Sequence, residues 1–136
     1  MAFDRVRGNP PQKIVLIDSS MLLSLFEFSL DFDRELTGLI GTHKILIPSS
    51  VIRELEQLSH KGDGRKAKMA SAALQLSKKY ETVETRENDA DKALVFLAKK
   101  CCGIVATNDK ELRKTLKKEM VPVILLRNKK FLCFDE

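Results

Sequence analysis

The stretch IVATNDKEL, Ile104 to Leu112, decides the fold. Three apolar residues stop abruptly at Thr107-Asn108-Asp109, and Lys-Glu-Leu then opens a helical pattern. A buried strand that surfaces, turns within three residues and feeds a helix is the unit from which parallel α/β sheets are made. The position of Asp109 admits two readings. It can cap the helix that follows, or it can be one wall of an acidic site.

Working outward, the same transition recurs. KIVLID, Lys13 to Asp18, is a short apolar run with an acidic end, and Ser19 or Ser20 can cap a helix through MLLSLFEF. Residues 31–41 continue helically, with Phe32, Leu36, Leu39 and Ile40 on one face, until Gly41 stops them. Lys44 to Ile47 reads as a second strand, and Pro48-Ser49-Ser50 starts a helix to about Leu58. A loop with Gly62 and Gly64 precedes a helix over 65–79, and Thr82 to Thr85 reads as a short strand. Asn88 or Asp89 caps a helix to about Lys100, and Gly103 ends it. After Ile104 to Ala106 come a helix over 109–119, a strand over 122–126, and an edge strand over 131–134 beyond an Asn128-Lys129 turn. Alternating strands and helices imply right-handed crossovers and a mostly parallel sheet of about five strands with helices on both faces. Residues 1–12 read as a flexible lead-in ending near Pro10-Pro11, and residues 13–134 as one domain.

The chain has 136 residues, enough for one self-sufficient core. Hydrophobic residues make up 43% and charged residues 32%, a soluble mixture in which no apolar run approaches the roughly 20 residues of a membrane span. The first residues, MAFDRVRGNPPQK, lack the apolar segment of a signal peptide, so a cytoplasmic location is expected. Cys101, Cys102 and Cys133 are too few and too irregular for a disulfide framework and read as reduced, mostly buried thiols. The net charge of +5 suits a polyanionic partner, and KGDGRKAK, Lys61 to Lys68, is its most concentrated basic segment.

The informative residues are acids. Asp18 and Asp109 stand at the carboxyl ends of two apolar strands, where open α/β sheets place their sites. Glu54 lies three residues after Val51 and four before Leu58, so helical periodicity sets it on the same core-facing stripe as Leu55. A carboxylate there needs a cation, a metal or a hydrogen-bond donor. Asp91 opens a helix, where an acid favours the dipole. Two strand-end aspartates, an inward glutamate and a helix-start aspartate can converge on one rim. Such a cluster repels itself unless Mg²⁺ or Mn²⁺, which prefer carboxylate and water ligands, neutralises it. His43 and His60 have no zinc spacing. The nucleophile elbow, the Walker A loop and the Gly-x-Gly-x-x-Gly fingerprint are all missing.

LIDSSML, PSSVIRELEQL, DADKALVFLA and IVATNDKELRKTL, in this order, resemble the four acidic motifs of PIN-domain nucleases. The resemblance extends from Lys13 to Phe134, and PVILLRNKKFL is similar to the ending of small archaeal PIN proteins of the VapC-like and rRNA-processing groups. It implies a PIN-like three-layer α/β/α sandwich and a Mg²⁺- or Mn²⁺-dependent endoribonuclease. By position it makes Asp18, Glu54, Asp91 and Asp109 the metal-binding, catalytic acids. Ser19, Ser20, Thr107 and Asn108 would orient them. Where related sequences often read Asp-Asp, this chain has Asp91-Lys92, which removes one potential ligand and adds a positive charge. Asp89 could compensate, but it reads better as the helix cap.

Lys61, Arg65, Lys66, Lys68 and Lys92 are expected to contact the RNA backbone without sequence preference. With seven Phe, one Tyr and no Trp, most of them in apolar runs, selection by RNA shape is expected over base stacking. The resemblance leaves two roles open, an rRNA-maturation nuclease with a processing-factor partner or a VapC-type toxin held by an antitoxin, and the similarity of the ending leans toward the first. A non-catalytic PIN module that binds RNA or protein is the rival from another class. A phospho-acceptor receiver domain lacks its acid pair and its acceptor. The apolar excess over Leu22 to Leu30 points first to core and then to a homodimer.

Overall fold

The computed structural model describes Gln12 to Glu136 apart from Asp63. The expected lead-in thus lies outside the described residues except for Gln12. The chain runs β1 (Lys13–Ile17), α1 (Ser19–Glu27), α2 (Phe32–Ile40), β2 (His43–Pro48), α3 (Ser49–Ser59), α4 (Arg65–Ser77), β3 (Glu81–Val83), α5 (Ala90–Cys101), β4 (Ile104–Ala106), α6 (Lys110–Lys118), β5 (Val123–Arg127) and β6 (Phe131–Phe134). The α/β class and the mostly parallel sheet are as expected. The sheet has six strands where about five were expected, in the order β3-β2-β1-β4-β5-β6. The edge strand β6 is antiparallel to β5. The chain can reverse so tightly because Asn128 and Lys129 both take positive φ, 54° and 58°, and Lys130 N–H closes the turn on Arg127 O at 3.1 Å.

Strand β1 is central because its residues can be nothing else. Val15, Leu16 and Ile17 are fully buried, as a parallel strand covered on both faces requires. Burial of each such side chain is worth roughly 1.5–3 kcal/mol. On one side β1 pairs with β2, and on the other with β4 in the register Val15↔Ile104, Leu16↔Val105, Ile17↔Ala106. The order reverses between β1 and β4. The crevice beyond their carboxyl ends is where this class of sheet opens a site.

The helical stretch expected over 31–41 is separate from α1. Ser29 has φ 50°, and the Asp31 side chain caps α2 by accepting from Arg34 N. Phe32, Leu36 and Ile40 face the core as expected, with Leu39 half-buried at its margin. In α1 the core absorbs Met21, Leu22 and Leu25, and Phe26 stays exposed. The cysteines differ from expectation. Cys101 and Cys102 are exposed, and only Cys133 is half-buried, because the pair sits where α5 frays and Cys102 turns left-handed to end it.

Candidate active site

The register carries the sheet one step past β1 and β4. Asp18 N–H donates to Ala106 O at 3.1 Å, and Thr107 N–H to Ile124 O at 3.0 Å. Asp18 and Thr107 therefore come out side by side. Asp18 is 4% exposed, and Thr107 is fully buried. The Thr107 hydroxyl donates to Asp18 Oδ2 at 2.7 Å, and the Ser20 hydroxyl donates to the same oxygen at 2.8 Å. Both serines thus depart from the helix-cap role expected of them. Asp18 itself occupies the cap position of α1 and makes no side-chain cap. The Ser19 hydroxyl donates to Glu54 Oε1, which is the partner that a half-buried carboxylate on the inner stripe of α3 requires.

The turn after β4 is the second half of the frame. Thr107 Oγ1 also accepts from Asp109 N–H at 3.0 Å. Ser20 Oγ accepts from Asn108 N–H at 3.0 Å. The Asn108 side chain donates to Ser24 Oγ at 2.8 Å and accepts from Leu126 N–H at 3.0 Å, tying α1 to β5. Asp109 Oδ1 accepts from Leu112 N–H at 2.9 Å, so the cap reading of Asp109 is correct. It does not exclude the other reading, because one oxygen makes the cap. Asp89 is the cap of α5, accepting from the N–H groups of Asp91 and Lys92, as expected.

Asp91 reports that the four acids share one field. Its carboxyl is raised from 3.8 to about 6, first by desolvation and then by the charges of Asp18, Asp109, Asp89 and Glu54. Although Asp91 reaches solvent, four negative groups from β1, α3, the β4–α6 turn and the start of α5 act on it together. The donor set is entirely carboxylate oxygen, as a hard divalent cation prefers. Among the described residues no three His, Cys, Asp or Glu side chains are already gathered at metal-holding separations. The chemistry of the carboxylates fits such an ion.

In the basic segment, the Arg65 guanidinium stands apart from this cluster. Arg65 Nη2 lies 3.5 Å from Glu27 Oε1, at the end of α1 remote from Ser19. Eight helical residues, roughly 12 Å, separate the two ends. Lys61, Lys66 and Lys68 are exposed and have no acidic partner among the described residues. Lys92 is exposed beside Asp91. Sequence reasoning missed the division of labour between the serines. No periodicity signals it, since it depends on where α3 crosses α1.

Residues 15–129 match the family described as PIN like domain. Ribonuclease VapC4 of Methanocaldococcus jannaschii is 35% identical over 121 residues, covering 86% of this chain and 92% of that protein. Ribonuclease VapC9 of Archaeoglobus fulgidus is 35% identical over 130 residues, covering 96% and 94%. Among solved structures, the PIN domain endonuclease Utp24 superposes with a TM-score of 0.76 at 24% identity over 93% of each chain, a likeness of fold. With the motifs in order on the strands and helices expected of them, the chain belongs to the PIN-like domain family.

Proposed function

We propose that this protein is a divalent-metal-dependent endoribonuclease that hydrolyses RNA phosphodiester bonds at the acidic rim. What supports the reading is the hydrogen-bond frame at the strand ends, in which Thr107 bonds Asp18 and the Asp109 N–H while Ser20 and Ser19 reach Asp18 and Glu54. The names of the two archaeal relatives point the same way. Asp18, Glu54, Asp91 and Asp109 would hold Mg²⁺ or Mn²⁺, which supplies charge neutralisation at the phosphate and a more acidic attacking water.

The chain's own groups do the positioning. Ser20 and Thr107 occupy Oδ2 of Asp18, which leaves Oδ1 outside their network. Ser19 aims Glu54. Attack by a water made more acidic by the ion requires no side-chain nucleophile. Lys61, Arg65, Lys66, Lys68 and Lys92 would guide the RNA backbone through salt-sensitive contacts. The relatives' names favour a VapC-type role with an antitoxin partner over rRNA maturation.

The test is cleavage of a structured RNA with Mn²⁺, Mg²⁺ or EDTA beside Asp18→Asn and Asp109→Asn. Asparagine caps helices as well as aspartate does, so Asp109→Asn keeps the cap and removes the charge. Metal-dependent cleavage lost in both folded variants supports the reading. Cleavage unchanged in both refutes it. A folded wild type inert on several RNAs favours the non-catalytic module.

A further inference from the structure

Phe96 is 64% exposed in the middle of α5. It shares a stripe with Lys92 and Lys100, one helical repeat of four on either side. The Lys100 ammonium stands over its ring, 5.9 Å from the centroid. The stripe faces the segment after β3, and together they enclose a groove of about 790 Å³ lined by Val83, Arg86, Lys92, Phe96, Leu97 and Lys100. Lys92, one residue beyond Asp91, lies at its near end, and none of the four rim acids lines it.

The groove's outer wall is anchored. Thr85 N–H donates to Ser49 Oγ at 2.9 Å, at the buried start of the helix that carries Glu54. Glu84 and Glu87 also line the groove, but Glu87 Oε1 is engaged by Asp89 N–H at 3.1 Å. Three cations, Arg86, Lys92 and Lys100, face these two acids around one exposed ring. A protein partner calls for a contiguous apolar patch. One aromatic face bracketed by cations suits a base with a phosphate on each side.

We propose that this groove holds an unpaired nucleotide of the RNA, its base stacked on Phe96 in place of the Lys100 ammonium, and its flanking phosphates met by Lys92, Arg86 and the displaced Lys100. The choice of RNA rests on the nuclease reading above. The site makes Phe96 a positioning residue that favours single-stranded over duplex RNA, since only a splayed base can stack. It also revises the expectation that RNA shape outweighs base stacking.

The chain has one Tyr and no Trp, so Phe96→Trp introduces at the site a lone indole that can be excited selectively. Titration with a 12-nucleotide single-stranded RNA in EDTA should quench the introduced indole saturably and in a salt-dependent way. Anisotropy should show Phe96→Ala binding the same oligonucleotide about tenfold more weakly, Phe96→Tyr binding like wild type, and a blunt duplex hardly affected by either. An unquenched indole with the oligonucleotide bound overturns the proposal. So does a Phe96→Ala change confined to self-association in sedimentation, which would mark a protein contact. A parallel cleavage assay in Mn²⁺ separates the two claims. Quenching without cleavage would sink the nuclease reading and leave the groove. Cleavage without quenching, and with Phe96→Ala equally active, would do the reverse.

Discussion

Replacing Asp91 by asparagine should make the metal-free protein more stable while abolishing its activity. The Asp91 carboxyl is lifted from 3.8 to about 6 by desolvation and by the charges of Asp18, Asp109, Asp89 and Glu54. The native state holds this proton longer than the unfolded chain does. Stability therefore falls as pH rises from about 4 to about 6, and the deficit persists at neutral pH. Shielded from water, a displacement of this size would be worth roughly 3 kcal/mol. Asp91 reaches solvent, and screening reduces that to about 1 kcal/mol. Asparagine also forfeits the attraction of a first-turn charge for the helix dipole, about 0.3 kcal/mol in this setting. Repulsion wins, and Asp91→Asn should gain somewhat under 1 kcal/mol at pH 7. Urea denaturation in EDTA at pH 4, 5, 6, 7 and 8 reads this directly. The wild type should lose stability between pH 4 and 6 relative to the variant, and Mn²⁺ should raise the wild type more than the variant, because an ion bound only by the folded state stabilises it. A variant less stable than wild type at pH 7, or two parallel pH profiles, would refute a shared acidic field.

Thr107→Val removes the buried hydroxyl that serves both Asp18 and the Asp109 N–H. It should cost about 1–3 kcal/mol in urea denaturation and lower cleavage even where the protein stays folded. Ser19→Ala should cost less stability than Thr107→Val while still lowering activity, because it releases Glu54 at a half-exposed position; comparison of Tm with turnover separates the two. Leu16→Ala, in the fully buried centre of β1, should cost about 2–5 kcal/mol by denaturation, whatever the state of the acids. Converting Lys66 and Lys68 to glutamine should weaken RNA binding uniformly across sequences and reduce its salt slope by about 1 to 2, and an unchanged slope would remove that segment from the RNA path.

Much of this protein is legible in its sequence because the signals are local. Apolar runs ending in an acid mark β1 and β4. The period that sets Glu54 beside Val51 and Leu55 needs only the geometry of one helix. Asp89 declares itself as a cap by the residues that follow it. The order of the four acidic motifs carries the family. Other features depend on contacts between distant segments. That β1 and β4 are neighbours, with the order reversing between them, follows from packing the whole sheet, and it alone sets Thr107 against Asp18 across 89 positions of chain. The assignment of Ser20 to Asp18 and Ser19 to Glu54 arises because adjacent helical residues point about 100° apart, so two neighbours serve two different elements. The exposure of Phe96 is likewise invisible in an apolar-looking DADKALVFLA. A side chain is core or surface only according to what lies opposite its helix, and there the fold has placed a groove.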